Sequence, residues 1–119
     1  MGDDLAARVA AERATLEAGL AQLRAEAARW GIALDANDCA QAEFALKRDP
    51  CSGELSLLAR WHGDRRRASL AIREDGFLYG EWDVLAPHPS QRGQWIEMVV
   101  TWGKPPCLKS EPRLIAMPA

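Results

Sequence analysis

A chain of 119 residues has the length of one compact domain with its own core, since domains commonly hold about 100–150 residues. A hydrophobic share of 48% and a charged share of 27% lie in the ordinary globular range and exclude a disordered or fibrous chain. The formal net charge of -2 provides no basic field of the kind that nucleic acid binding requires.

The chain starts Met1-Gly2-Asp3-Asp4, with acids where a secretory signal carries basic residues. No apolar run approaches the roughly 20 residues of a membrane span, so a cytoplasmic protein without membrane contact is expected. Abundant alanine, and arginine in excess of lysine, read as the codon bias of a GC-rich bacterial genome. Residues 4 to 30 form one predicted helix, because Leu5, Val9, Leu16, Leu20, Leu23, Ala27 and Trp30 share one face. Asp3 or Asp4 caps its start, and Gly31 is placed to stop it. Val9, Leu16, Leu23 and Trp30 also fall at heptad spacing. Their companions Leu5, Glu12, Gly19 and Glu26 are too polar for a coiled-coil seam, so the stripe is assigned to packing on the protein's own sheet.

After a connector over residues 31–38, period-two alternation predicts an antiparallel β-meander of about five strands over residues 40–104. From Asp38 to Arg48, alanine and glutamine favour a helix. Phe44 and Leu46 share a face only in a strand, and strand is the assignment made. The Asp49-Pro50-Cys51-Ser52-Gly53 turn sets Phe44 opposite Leu57 and Lys47 opposite Glu54. A two-residue Gly63-Asp64 turn sets Ala59 opposite Ala68, Leu57 opposite Leu70 and Leu55 opposite Ile72, with Glu54 meeting Arg73. The clearest hairpin spans residues 66 to 84. A three-residue Glu74-Asp75-Gly76 loop pairs Ile72 with Leu78, Leu70 with Gly80 and Ala68 with Trp82. Residues 95 to 102 form a fifth strand that presents Ile96, Met98, Val100 and Trp102 inward, and Pro105-Pro106 ends it. The C-terminal segment, 108–119, is apolar enough over residues 113 to 117 for a short edge strand. The fold class is therefore α+β, a single domain with the helix on one sheet face.

Two functional readings compete. Leu58, Phe77, Tyr79, Trp95 and Val99 lie on the outer face among charged residues, and an apolar patch rimmed by charge marks a partner surface. The expected partner is a second copy, with another protein as the alternative, so the chain reads as a non-catalytic binding or accessory protein. In the second reading, Trp30, Trp61, Trp82 and Trp102 line a pocket between helix and sheet, with Gly80 leaving space. The chain would then be a small-molecule-binding protein or a cofactor-independent enzyme.

Chemistry-bearing motifs are sparse. Cys39, Cys51 and Cys107 are an odd set without CxxC spacing, which indicates neither a disulfide framework nor a zinc cluster. The strand registers place Cys39 near His62 and Arg65, an arrangement able to generate a reactive thiolate, although an ordinary half-buried cysteine is the favoured reading. His88, between two prolines, reads as a loop residue, and Arg65-Arg66-Arg67 as a solvated hairpin end. GxGxxG, P-loop, GxSxG and HExxH patterns are all missing from the sequence, so no catalytic residue, metal or cofactor is assigned.

Overall fold

A computed structural model describes residues 2–31, 42–62 and 67–116. The helix α1 (Gly2–Arg29) is followed by six strands: β1 (Glu43–Arg48), β2 (Leu55–His62), β3 (Arg67–Ile72), β4 (Leu78–Pro87), β5 (Gln94–Lys104) and β6 (Cys107–Ala116). Each strand pairs antiparallel with its sequence neighbour, giving one open sheet in the order β1-β2-β3-β4-β5-β6. The α+β meander expected from periodicity is thus present. Its strand count is six, because the C-terminal segment contributes a ten-residue strand. No helix among the described residues is long and apolar enough to cross a membrane.

Leu16, Leu20, Leu23 and Ala27 of α1 are buried against the sheet, while Leu5, Val9 and Trp30 are half-buried at its two ends. Gly31 closes the helix at a φ of 74°, a left-handed conformation that glycine adopts without strain. Three inward-facing rows of the sheet receive it. Leu46, Leu57, Ile72 and Leu78 make one, Phe44, Ala59, Leu70, Gly80 and Thr101 the next, and Trp61, Ala68, Trp82 and Val99 the third.

The hairpin spanning β3 and β4 has the register that the sequence predicts, with Ile72 opposite Leu78, Leu70 opposite Gly80 and Ala68 opposite Trp82. Gly76 takes a φ of 90°, and Asp75 Oδ1 accepts the Phe77 amide proton at 2.9 Å. The two earlier hairpins differ from expectation by two residues. Leu57 pairs with Ile72 and Ala59 with Leu70, and across the first turn Phe44 pairs with Ala59 and Lys47 with Ser56. At the first turn the cause is local: Asp49 Oδ1 accepts the Cys51 and Ser52 amides, and Asp49 N–H bonds to Glu54 O, so the connection takes up more chain than a minimal turn. The expected Gly63-Asp64 turn lies outside the described residues. A slip of two residues returns every side chain to its face, and the inward set therefore survives the error. Glu54 still reaches Arg73, at 3.0 Å.

In β5 the alternation itself slips. Register shifts between Asp83 and Ala86 and between Ile96 and Met98 mark bulges, and Leu85 adopts a φ of 49° beside the first of them. Ile96 points inward above the slip, and below it Val99 and Thr101 do. Met98 and Trp102 consequently lie on the outer face beside Asp83 and Tyr79, opposite to the expectation, while Val100, paired with Glu81 on that side, is nevertheless fully buried.

Helix and sheet approach closely at one point. A Cβ on Gly19 would meet Leu78 Cδ1 at 2.9 Å and both Leu70 δ-carbons at 3.3 Å, and a Cβ on Gly80 would collide with Leu70 Cδ2. Leu70 is thus held between two glycines, one on each layer. Polar contacts fix the helix on either side of this notch. Arg8 donates to Leu55 O at 2.8 Å and Ile72 O at 3.1 Å, and Gln22 donates to Ser110 Oγ at 3.0 Å. We expect Gly80→Ala to lower the unfolding free energy by about 1–3 kcal/mol through overpacking. Combined with Leu70→Ala in a denaturant double-mutant cycle, it should show coupling above roughly 0.5 kcal/mol. Strictly additive losses would mean that Leu70 does not occupy the notch.

Candidate functional site

The face opposite α1 carries an apolar row that crosses five strands. Ala45 lies beside Leu58, Leu58 beside Ala71, Ala71 beside Tyr79 and Tyr79 beside Trp102, after which Lys109 ends the row. Tyr79 is 38% exposed, Ala45 is exposed, and Leu58, Ala71 and Trp102 are half-buried. One flank consists of Glu43, Arg60, Ser69, Glu81, Val100 and Glu111 in consecutive pairing. On the other flank lie Lys47 and Ser56, then Arg73 and Phe77, joined by an Arg73 N–H to Phe77 O bond of 2.9 Å.

The structure brings together Leu58, Phe77 and Tyr79 of the expected interface set. Trp95 is half-buried at the far end of β5, across from Pro87 and Ile115, and does not join the row. Val99 is a correction. It is fully buried in the core beside Trp82, because the slip at Glu97 and Met98 turns it inward. The same slip places Trp102, half-buried, on the outer row beside Tyr79.

The four tryptophans expected around a pocket are dispersed. Trp61 and Trp82, each 2% exposed, flank Ala68 and fill the core. Trp102 is on the opposite face, and Trp30 lies against the His88 ring with centroids 4.7 Å apart. Among the described residues, a groove of about 450 Å³ lies between the first half of α1 and β1, lined by Leu5, Ala6, Val9, Ala10, Arg13 and Phe44.

Three buried polar residues escaped the sequence reading: Thr101, whose Oγ1 donates to Lys109 O at 2.8 Å, Glu26 and His88. Glu26, 3% exposed, accepts from Ser110 Oγ at 2.9 Å and Trp30 Nε1 at 3.3 Å and pairs with Arg29 at 3.1 Å, tying the end of α1 to β6. Its signal was present, since it falls three residues after Leu23 on the inward side of the helix. His88, read as a loop residue, is 8% exposed, and its Nδ1 accepts the Ser90 and Gln91 amides at 3.1 and 3.0 Å. The loop folds round the imidazole, an arrangement that spacing alone does not announce.

Cys39 and Arg65 lie outside the described residues, as does the side chain of His62, and with them the suggested thiolate site. Cys51 and Cys107 are exposed. Among the described residues, no group of three or more His, Cys, Asp or Glu side chains is placed to hold a metal ion.

Tyr79 reports on the outer row. Burial first, and then the charge of Glu81 and the 3.3 Å bond that Tyr79 Oη donates to Glu81 Oε2, push the phenol above its ordinary value of 10.0. The fold favours the protonated phenol, so this contribution to stability is complete below the unfolded-state pKa and lost as pH rises through the folded one. Comparisons with family models, with curated proteins and with solved structures return no match for the chain. Because Tyr79 is the single tyrosine, ultraviolet titration of the phenolate reads it alone. The midpoint should lie above 10 and fall in Glu81→Gln; an unshifted midpoint in both proteins would contradict the contact.

Proposed function

We propose that this chain is a non-catalytic binding protein that works as a homodimer and presents its outer sheet face to a protein partner. The observation that carries the reading is the row Ala45, Leu58, Ala71, Tyr79 and Trp102, continuous across five strands on the side away from the helix. Tryptophan and tyrosine are enriched in protein interfaces because they bring large apolar area with few rotatable bonds and keep a polar tip for the rim. Charged residues on both flanks match the usual anatomy of an apolar centre with a polar margin. The competing small-molecule reading has less support, since Trp61 and Trp82 are consumed by core packing and Trp102 lies on the opposite face.

A photoreactive phenylalanine analogue in place of Tyr79 is expected to cross-link a distinct second protein in the cells that make this one. The adduct should disappear when Trp102→Asp is added. No adduct at position 79, or one unaffected by Trp102→Asp, would overturn the outer-face reading. Light scattering is expected to give twice the mass of one chain, and a monomer would overturn the homodimer.

A further inference from the structure

We infer that the homodimer forms by antiparallel pairing of β1 with β1 of a second copy, centred on Ala45. The inference deepens the homodimer reading above and rests on it, but not on the outer-face partner. Among the described residues β1 is one of the two sheet edges, and an edge strand offers a row of backbone N–H and C=O groups to any strand that comes alongside. The other edge, β6, carries Pro112, which lacks an N–H, and pairs with β5 through a register slip. Glu43–Arg48 contains neither proline nor glycine, and its six residues run without a slip.

A two-fold axis perpendicular to the sheet requires each residue to meet one from the same face, because directly opposed side chains in an antiparallel pair point to the same side. The register centred on Ala45 satisfies this requirement. It sets Glu43 across from Lys47 of the second copy on the outer face, twice by symmetry, and Phe44 across from Leu46 on the inner face. Opposite charges and apolar pairs are matched together, which is the self-complementarity that a two-fold interface needs. Centring on Phe44 would oppose Glu43 to Ala45, and centring on Leu46 would oppose Phe44 to Arg48. Neither alternative satisfies both faces.

Two further consequences follow from the same register. Ala45 begins the outer apolar row, so placing it on the axis joins the two rows end to end and makes one stripe running from Trp102 of one copy to Trp102 of the other. On the inner side the axis brings the two grooves face to face. The half-buried Leu5, Val9 and Phe44 of each copy then gain apolar neighbours that their own helix and sheet do not supply. Strand pairing alone over six residues makes a small contact, and it is this apolar contribution that brings the interface towards the area of a stable dimer.

The test combines charge exchange with cross-linking, and circular dichroism checks that each variant is folded. Lys47→Glu and Glu43→Lys should each raise the dimer dissociation constant on the order of tenfold, since both replace two attractive pairs by two repulsive ones. The double exchange E43K/K47E should restore the wild-type value. In a background with Cys39, Cys51 and Cys107 replaced by serine, Ala45→Cys should form an intermolecular disulfide under mild oxidation, because residues meeting on the axis lie within disulfide reach, whereas Lys47→Cys should not. A chain that is monomeric throughout overturns the homodimer and the edge together. A dimer indifferent to Lys47→Glu, with no disulfide at Ala45→Cys, overturns the edge alone and leaves the homodimer to another surface.

Discussion

A helix is about 10 Å across, whereas six hydrogen-bonded strands span roughly 24 Å between the outermost two, so one helix has to shield a sheet wider than itself. In this molecule α1 answers by crossing the sheet obliquely. Its first half reaches the ends of β2 and β3 through Arg8, and its last turns reach β6 through Gln22 and Glu26. Between those anchors the two layers are drawn together over Leu70, where Gly19 and Gly80 remove the side chains that would hold them apart. Close approach increases the apolar area covered per turn of helix, and the core is deepest there, with Leu16, Leu20, Leu57, Leu70 and Leu78 almost wholly removed from water.

The same mismatch decides what stays uncovered. The oblique path leaves a groove beside β1, where Leu5, Val9 and Phe44 are only half-buried. No element of the described chain lies over the outer face, whose apolar row runs between charged flanks. Edge treatment is uneven. Pro112 removes a backbone donor from β6, while β1 is short, regular and charged in a self-matching order. Shielding, exposure and edge chemistry are thus three outcomes of one geometric constraint.

Periodicity was informative wherever a strand kept its alternation. From β1 to β4 the inward residues Leu57, Leu70, Ile72, Leu78 and Trp82 are those that the sequence marks, even though two hairpins pair two residues away from the expected register. A shift of two is invisible to a rule based on faces. The failure in β5 is of another kind. The run from Ile96 to Trp102 holds apolar residues on both sides, so the sequence alternates equally well in either phase, and only pairing to β4 and β6 selects Val99 for the core. That selection moved Trp102 from a supposed pocket to the outer row and removed Val99 from the supposed interface. The burial of Glu26 and His88 rests in part on contacts with residues distant in the chain, Ser110 for the one and the Trp30 ring for the other, which local spacing does not specify.

The sequence by itself determined the class of fold, the extent of the helix, the hairpin closed by Gly76 and the existence of an apolar outer face, because each of these follows from local periodicity and turn chemistry. The tertiary structure alone decided the phase of β5, the docking of α1 through Leu70, and which aromatic rings reach the surface. These depend on bulges and on contacts between residues far apart in the chain, where the energy of packing outweighs any preference written into a short segment.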